Sequence, residues 1–459
     1  MDLAIFKRAF DSLRRYKIDF ADLYFESSAA HSISFEDGAL EEISSSLREG
    51  VGARVVREDV TSYSHTPGVA VTNGLSALRE STRNIGIPLS WENEGDFQRR
   101  IIKQTAFVAP PETQFLRDID RKIREASPYE SQVCIKYELS LKNIIIINQE
   151  EDLFRENRPY TSFSVEVTVE KNGQIQTGYE NAARLEVPNI FWGKYTPWIL
   201  ANQALKQALL MLEAPDCPAG TMPVILSGEA GGTLVHEACG HGLEADIIQK
   251  DFSVYRNKIG HKVASPLVTM IDDGTLPGLF GSYTIDDEGV PAQRTVLIEE
   301  GVLKGFLTDK ISAAKEGLPL SGNGRRDSYR NPPIPRMSNT FILPGDSNEE
   351  AMIQSVDYGL YVKKMGGGEV NPTSGDFVFY VTEGYFIRNG SIAHPVKGAL
   401  LTGNGPQALM DIRAVGDNLL YLPGMCGKAG QSVPVTDGQP ALLIKKLIVG
   451  GNVTDHESL

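Results

Sequence analysis

Two histidines and a glutamate in one short segment are the residues of this chain best suited to catalysis. Residues 236–241 read HEACGH, so His236 and His241 lie five positions apart and Glu237 directly follows the first of them. Imidazole nitrogens are common zinc ligands, and a carboxylate beside a metal serves as a general base. The segment therefore predicts a metal site, with Glu237 as the candidate base of a hydrolytic reaction.

The spacing of the two histidines restricts the backbone that carries them. Residues five apart on a regular α-helix lie about 140° apart around its axis, so His236 and His241 would not bind one ion from such a helix. A π-bulge, or a helix that unwinds near Gly240, would bring the two rings together. We therefore expect an irregular helix over this segment.

Two cysteines are candidates for a third ligand. Cys239 lies three positions after His236, on nearly the same helical face, and would compete with His241; its alternative role is a small buried apolar side chain. Cys426 lies in LPGMCGKAGQ between glycines that let backbone and sulfur approach closely, although a packed turn is the alternative. A closed structural zinc site usually has four protein ligands, often in Cys-x-x-Cys pairs, which this chain lacks. An open site with three ligands and water fits better.

The sequence around the motif indicates a β-rich C-terminal region that holds it. The strand-like run MPVILSG precedes the motif, and short apolar runs separated by glycine turns follow it, among them DFVFYVTEGYFIRNG and ALLIKKLIVGG. Asn389-Gly390 is a hairpin signal. We expect a glycine-rich, predominantly antiparallel β domain, barrel-like in form, that carries the metal-binding helix.

The N-terminal half has a different pattern. LAIFKRAFDSLRRY and PWILANQALKQALLMLE have the apolar spacing of helices, and residues 68–127 also fit helices. ADLYFES, HSISFED and VGARVVRED read as strands, and Asn172-Gly173 predicts a hairpin within SVEVTVEKNGQIQTGYE. The predicted fold class is therefore α+β, with mixed helices and antiparallel sheet in this half.

A domain boundary is expected near residue 215. Only 10 of the 44 glycines precede residue 216, and three prolines occur within residues 215–223, where they stop the preceding helix. We therefore predict an N-terminal α+β domain over residues 1–215 and a mainly β domain over residues 216–459 that carries the predicted metal site.

Composition excludes several classes of protein. Hydrophobic residues make up 41% and charged residues 23%, values typical of a folded chain. The net charge of −14 disfavours direct nucleic-acid binding, and no run of about 20 apolar residues predicts a membrane span. Four irregularly spaced cysteines do not form a disulfide framework. These features favour a cytoplasmic protein.

Four motifs in the second half resemble a known peptidase family. HEACGHGLEAD, SGNGRRDSYRNPPIPRMSNTFILPG, GGGEVNPTSGDFVF and GMCGKAGQ occur in this order and are similar to the TldD/PmbA peptidases, specifically the metal-binding TldD branch. The resemblance is dense over residues 216–459 and rests on length and pattern before them. It implies one zinc ion held by His236, His241 and Cys426, with Glu237 as base and Cys239 in packing. Iron(II) accepts the same ligands.

The same resemblance implies a reaction and a partner. The expected function is zinc-dependent peptide hydrolysis through a metal-bound water that Glu237 activates. The short strands and glycine turns of the second half, which offer an edge strand to a peptide, add the expectation of unfolded or extended peptide substrates. The expected assembly is a dimer, with a second copy or with a PmbA/TldE-like paralogue that lacks the histidine motif. The family's older label, modulator of DNA gyrase, does not indicate DNA contact in so acidic a chain. The alternative is a non-catalytic peptide-binding or regulatory module in which the metal only staples the fold.

Further polar and glycine positions are candidates for secondary roles. Glu244 and Asp246 would orient metal ligands or cap a helix end. A turn that combines amide, guanidinium and phenol groups is suited to holding a peptide carbonyl, with a salt-bridged surface loop as the alternative, and a glycine run offers close approach to substrate or simple flexibility. The candidate substrate-binding residues are Asn323, Arg325, Arg326, Tyr329, Gly367 and Gly368.

Overall fold

Among the residues that the structure describes, the first half of the chain forms an antiparallel sheet and four helices. The computed structural model describes residues 4–58, 60–89, 98–106, 113–186, 196–451 and 453–454. The helices are α1 (Ala4–Arg14), α2 (Val71–Asn84), α3 (Gln114–Ala126) and α4 (Pro197–Glu213). The strands are β1 (Phe20–Glu36), β2 (Ala39–Arg57), β3 (Val60–Pro67), β4 (Glu130–Asn148), β5 (Leu153–Lys171) and β6 (Gln174–Arg184).

The six strands follow the order β3-β2-β1-β4-β5-β6, and every neighbouring pair is antiparallel. Asn172 and Gly173, at φ values of 52° and 80°, form the tight turn between β5 and β6. This is the hairpin that the Asn-Gly signal predicts. The two segments ADLYFES and HSISFED form the single long strand β1. Residues 90–97 and 107–112, within the stretch predicted as helical, lie outside the described residues.

Both faces of this sheet are covered. Alternate residues of β1, such as Leu23 and Phe25, pack with α1 and α2, while Tyr24 on the other face packs against Tyr329 of the second half. Because side chains alternate along a strand, coverage of both faces buries successive residues, the polar Asp22 and Glu26 among them. This explains why residues 21–27 of β1 are all buried.

The second half contains short helices among many strands. Its helices are α5 (Thr233–Val235), a π-helix (His236–Gly240), α6 (Ala245–Gln249), α7 (Lys310–Glu316), α8 (Glu349–Gln354) and α9 (Gly405–Met410). Its strands are β7 (Pro218–Leu226), β8 (Met270–Asp273), β9 (Arg294–Glu299), β10 (Val302–Leu303), β11 (Gly324–Arg325), β12 (Ile334–Pro335), β13 (Asn339–Ile342), β14 (Tyr358–Val370), β15 (Asp376–Arg388), β16 (Ser391–Val396), β17 (Leu400–Asn404), β18 (Ile412–Val415), β19 (Leu420–Lys428), β20 (Gln431–Gln439), β21 (Leu442–Gly450) and β22 (Val453–Thr454).

Five of these strands close into a barrel. β7 pairs with β14, β14 with β15, β15 with β17, β17 with β21, and β21 returns to β7. Only the β7–β14 pair in this ring is parallel. The Asn389-Gly390 turn joins β15 to β16 as its sequence predicts. The α+β class with a predominantly antiparallel, barrel-like second part is therefore confirmed.

A second sheet beside the barrel holds one of the candidate ligands. Its order is β10-β9-β8-β13-β20-β19, so β19, which contains Cys426, is an edge strand that pairs with β20. The core of this half extends from Cys217 to Val449. The domain boundary at residue 215 remains a prediction. No helix among the described residues is long and apolar enough to cross a membrane.

Candidate metal centre

The histidine segment begins with a sharp change in chain direction. After β7, Ser227 accepts a hydrogen bond from the backbone N–H of Glu229, and a 3-10 turn follows. Gly231 and Gly232, at φ values of 89° and 68°, then lead into α5. A Cβ on Gly232 would lie 2.7 Å from the backbone nitrogen of Gly438, so the left-handed backbone and the close approach to β20 both require glycine.

A π-helical turn brings the two histidines together. Residues His236–Gly240 form a π-helix in which the backbone N–H of His241 bonds to the carbonyl of His236. The wider turn compensates for the angular offset of a five-residue spacing, so the ring centroids lie 5.0 Å apart with the rings perpendicular. A Cβ on Gly240 would lie 2.1 Å from the sulfur of Met337, so this turn packs only with glycine. The irregular helix predicted from the spacing is confirmed.

Cys426 lies directly beside both rings. Its Sγ is 3.2 Å from Nε2 of His236 and 3.5 Å from Nε2 of His241. The three candidate ligand atoms all lie within 4.8 Å of one another. His236 and Cys426 are buried and His241 is half-buried. The structure thus brings three ligand atoms to one point, although Cys426 lies 190 and 185 residues after the two histidines in the chain.

A carboxylate backs each histidine. Nδ1 of His236 lies 2.7 Å from Oδ1 of Asp437, and Nδ1 of His241 lies 2.9 Å from Oε2 of Glu244. Because each carboxylate accepts the Nδ1 proton, Nε2 of each ring is the nitrogen that faces Cys426, as a hydrogen-bond donor to the thiolate without a metal and as a ligand with one. This arrangement orients both rings for metal binding.

Charge around the histidines favours anionic sulfur. Burial opposes ionisation of Cys426, but hydrogen bonds from His236 and His241 and their charge outweigh it and lower the pKa of the thiol to about 5. Burial also disfavours charge on His241, yet Glu244 raises the pKa of that imidazole to about 9. A thiolate among nitrogen donors is the form of cysteine that binds metals.

Glu244 has a second partner that the sequence does not indicate. Lys428 Nζ lies 2.9 Å from Oε2 of Glu244 and 2.6 Å from Oδ1 of Asp246. Burial raises the pKa of Glu244, but Lys428 and His241 outweigh that effect and lower it to about 2. Glu244 therefore contacts a metal-ligand candidate directly, whereas Asp246 acts on it only through Lys428.

Comparison with protein-family models identifies the chain over most of its length. The PmbA/TldA metallopeptidase C-terminal domain matches residues 219–451, domain 1 matches residues 21–84, and the central domain matches residues 108–212. The chain belongs to the PmbA/TldD metallopeptidase family. The sequence resemblance is thereby confirmed.

Similar proteins are named metalloproteases. The TldD homologue of Haemophilus influenzae is 38% identical over 459 residues, covering 96% of this chain and 95% of that protein. The homologue from Buchnera aphidicola (subsp. Schizaphis graminum) is 37% identical over 453 residues, covering 95% and 94% of the two chains. A metalloprotease of Methanocaldococcus jannaschii is 33% identical, covering 92% of this chain and 94% of that protein.

Two solved structures share the fold at low sequence identity. A protein of Thermotoga maritima described as a putative modulator of a DNA gyrase has a TM-score of 0.77 at 21% identity, covering 98% of this chain and 100% of that chain. TldE from Thermococcus kodakarensis has a TM-score of 0.75 at 18% identity, covering 96% and 100%. These similarities bear on the fold alone.

Glu237, the candidate base in this family member, differs from its neighbours in burial. Its side chain is half-buried, whereas His236, Ala238 and Cys239 are buried. Within the part of the chain that the structure describes, its carboxylate forms no ion pair. It therefore combines partial access to solvent with a position directly after one of the candidate metal ligands.

Cys239 lies outside the group of converging donors. Its side chain is fully buried in the core, where burial raises the pKa of the thiol to about 12 despite a hydrogen bond with Tyr255. This environment suits a small apolar side chain and matches the packing role that the family resemblance implies.

The four polar candidates of the SGNGRRDSYR turn lie in the interior. Asn323 donates to Oδ1 of Asp272, and Arg325 donates to the carbonyls of Met337 and Pro434. Arg326 and Tyr329 are likewise 2% and 3% exposed. The turn is therefore not the surface loop considered as an alternative.

The same turn is covered by strands of the first half. Tyr63 donates a hydrogen bond to the carbonyl of Tyr329, and the Tyr329 ring packs where side chains on Gly50 and Gly52 would collide with it or its backbone. Arg326 lies over the Tyr24 ring at 4.2 Å. These contacts occupy polar groups of the turn, so its hydrogen bonds do not favour a substrate-binding role. That role remains a prediction.

The two glycine candidates differ from each other. Gly367 is exposed, and a Cβ there would meet nothing within 4 Å. Gly368 is also exposed, but a Cβ there would lie 2.2 Å from the Phe379 side chain and 2.3 Å from the Val378 carbonyl. Both lie in the irregular part of β14, where its register with β15 shifts. Gly367 alone has open space for a ligand.

Asp437 is the functional candidate that sequence reasoning missed. It lies 201 residues from His236 in the chain, and only the pairing of β19 with β20 places it near Cys426. A signal existed in the alternation Val433, Val435, Asp437, which puts a carboxylate at a core-facing strand position.

Proposed function

We propose that this chain is a zinc-dependent peptidase that hydrolyses unfolded or extended peptides, with Glu237 as its general base. The observation that carries the proposal is the convergence of two Nε2 atoms and one thiolate-favouring Sγ on a single point. The chain's membership of a metallopeptidase family supports it. An unpaired, half-buried carboxylate next to His236 supplies the proton acceptor that such a reaction needs.

The donor set fits zinc. In a tetrahedral site with ordinary zinc–nitrogen and zinc–sulfur bonds, nitrogen and sulfur lie about 3.5 Å apart. The two nitrogen–sulfur distances here are 3.2 and 3.5 Å. His236, His241 and Cys426 would hold the ion and leave a fourth position open; iron(II) would accept the same set.

The residues around the site divide the work of hydrolysis. When bound, zinc supplies a Lewis acid that polarises a carbonyl and lowers the pKa of water. Glu237 accepts the proton of the attacking water and returns it to the leaving amine. Asp437 and Glu244 hold the two imidazoles by their Nδ1 atoms, so that Nε2 keeps its direction throughout.

Free strand edges near the site suit an extended peptide. β14 pairs with β7 only as far as Val362, although it continues to Val370, and β19 pairs only with β20 among the described strands. β14 contacts the π-helix, and β19 contains Cys426. A peptide added to such an edge is held by main-chain hydrogen bonds, so broad sequence tolerance is expected.

We also propose that the active form is a dimer in the cytoplasm, with a second copy or with a paralogue that lacks the histidine motif. The support is the family resemblance in sequence. Native mass measurement at micromolar concentration would show a dimer; a monomer with full peptidase activity would contradict this part of the proposal.

The decisive test of the function compares one protein substrate in folded and denatured forms. The full chain, loaded with one equivalent of zinc, should cleave the denatured form and short peptides but not the rigid folded form, and a chelator should abolish cleavage. Mass spectrometry of the products follows the reaction. Binding of peptide without any cleavage would instead support the non-catalytic, metal-stapled module.

A further inference from the structure

A cavity of about 210 Å³ lies between the N-terminal sheet and the second half of the chain. It lies against the β19–β20 hairpin, which carries Cys426. Ser432, Val433 and Pro434 of β20 all line the cavity, and the side chains of Ser432 and Pro434 lie on the face of the strand opposite to Val433, which pairs with Cys426. The cationic residues around it are Arg48, Lys142, Arg158, Arg325 and Arg326. This set is defined here as the basic cavity.

Two of these cations already have counter-charges. Arg158 lies 2.9 Å from Oδ1 of Asp287, and Lys142 lies 3.6 Å from Oε2 of Glu26. Arg325 and Arg326 are each 2% exposed, and neither guanidinium forms an ion pair within 4.0 Å among the described residues, although the backbone N–H of Arg326 donates to Oδ2 of Asp287. Buried guanidinium groups are usually paired, because burying an uncompensated charge is costly.

Two carboxylates, Glu26 and Asp327, line the basic cavity against its five cations, and both also accept hydrogen bonds. Oε1 of Glu26 accepts from the Ser28 hydroxyl, and Oε2 accepts from the backbone N–H of Tyr329. Oδ1 of Asp327 accepts from the Ser328 hydroxyl and from the amide of Asn331. They leave the cavity with an excess of positive charge, in a chain whose net charge is −14.

We propose that the basic cavity binds a small oxyanion, a carboxylate or a phosphate. Guanidinium and ammonium groups are the protein's usual donors to such anions, and the hydrogen bonds they form are charge-assisted. The anion gives the guanidinium groups of Arg325 and Arg326 a direct ionic partner. This site is separate from the metal centre, on the opposite face of the same hairpin.

Binding at this site is expected to tighten the hairpin that carries Cys426. Arg325 donates to the carbonyl of Pro434, and the buried Arg336 donates to the carbonyls of Cys426 and Gln431. An anion that fixes Arg325 therefore also fixes one strand of that hairpin. The effect does not depend on peptidase activity, so the two proposals fail separately.

Inorganic phosphate is the first probe. Thermal unfolding of the full chain is measured with phosphate at constant ionic strength, for wild type, Arg48→Gln and Arg48→Lys. Arg48 is exposed, so its substitution should not disturb folding. At a concentration about ten times its dissociation constant, phosphate should raise the wild-type melting temperature by about 1–3 °C. It should raise that of Arg48→Lys similarly and that of Arg48→Gln much less.

The matched control is Arg388→Gln, which removes an exposed strand arginine elsewhere on the chain and should behave as wild type. Ser432→Glu provides the opposite test, because it places a carboxylate in the cavity itself. This variant should melt above wild type without phosphate and respond less to it. Equal phosphate responses in wild type, Arg48→Gln and Ser432→Glu would overturn the proposal.

A peptide pair identifies the source of the anion. Two peptides that differ only in a free or an amidated C-terminus are titrated against the Glu237→Gln chain. Tighter binding of the free acid, lost in Arg48→Gln and reduced by phosphate, would assign the site to a substrate carboxylate. Equal binding of both peptides, with the phosphate response intact, would assign it to a free anion.

Discussion

The two faces of the β19–β20 hairpin differ in the sign of the charge that they can bind. The face with Cys426 and Asp437 collects a sulfur, two imidazole nitrogens and two carboxylates, which are ligands and supports for a cation. The opposite face, with Ser432 and Pro434, borders five cationic side chains. A two-stranded ribbon separates the two environments.

The difference follows from strand alternation. Successive side chains of β20 point to opposite faces, so Val433 and Val435 continue towards Asp437 and the histidines, while Ser432 and Pro434 face the arginines. One register therefore positions both sites, and a shift of one residue would exchange them. The predictions below test each face separately.

The largest effect is expected from removing the sulfur on the metal face. Cys426→Ala should lose nearly all bound zinc and all zinc-dependent activity, because two imidazoles alone bind poorly. Cys239→Ala is the matched control and should retain about one zinc per chain. Elemental analysis of both purified variants measures this; a metal-free Cys239→Ala chain of normal fold would reverse the ligand assignment.

Removal of the general base should leave zinc binding intact but abolish most of the hydrolysis. Glu237→Gln is nearly isosteric and cannot accept a proton, so the rate should fall about 10²–10⁴-fold with zinc content unchanged. Glu229→Gln, which alters a half-exposed carboxylate eight residues earlier, is the control. Activity of Glu237→Gln within a few-fold of wild type would remove Glu237 from the mechanism.

Local features of the fold were predictable because they depend on neighbouring residues. The Asn172-Gly173 and Asn389-Gly390 turns, the helix PWILANQALKQALLMLE and the irregular backbone between His236 and His241 all followed from spacing and backbone chemistry. The order of the strands did not, because closure of β21 onto β7 depends on contacts more than 200 residues apart.

The candidate site was likewise predictable only in part. The histidine spacing indicated the metal ligands, and Cys426 entered through its glycine-flanked motif. The alternation in β20 places Asp437 on the core-facing side, but which residue Asp437 and Lys428 contact was not predictable, because it depends on the register of the β19–β20 hairpin. The charged turn with Arg325 and Arg326 read as a surface loop or a substrate site, since nothing local shows that another sheet buries it.

The cationic face should depend on Asp287, its main buried counter-charge. Asp287→Asn leaves the buried Arg158 with only the longer 3.7 Å ion pair to Glu156 and should lower the free energy of unfolding at pH 7 by about 3–5 kcal/mol. Asp118→Asn, which alters an exposed ion pair with Arg121, should cost less than about 1 kcal/mol. Urea unfolding of both variants gives the comparison.

The pH dependence of the Asp287→Asn effect tests whether Asp287 stabilises the fold in its charged form. Burial alone would raise the pKa of Asp287, but Arg158, Lys142 and Arg326 outweigh it and lower that pKa below its usual 3.8. The stabilisation is therefore present above about pH 4 and is lost as pH falls through the folded-state value. The wild-type advantage over Asp287→Asn should shrink on acidification; a constant difference from pH 6 to pH 3 would contradict this.

The smallest expected effect tests the carboxylate that orients His236. Asp437→Asn keeps the size of the side chain but removes the charge that holds the Nδ1 proton, so zinc affinity should fall about 10–100-fold. Competition with a chelator measures the affinity, and the absorption spectrum of the cobalt-substituted chain reports the ligand geometry. Asp246→Asn is the matched control, because that carboxylate contacts Lys428 and neither histidine. If both variants bound zinc as wild type does, ring orientation would come from the π-turn and its packing alone, and the metal face would not depend on β20.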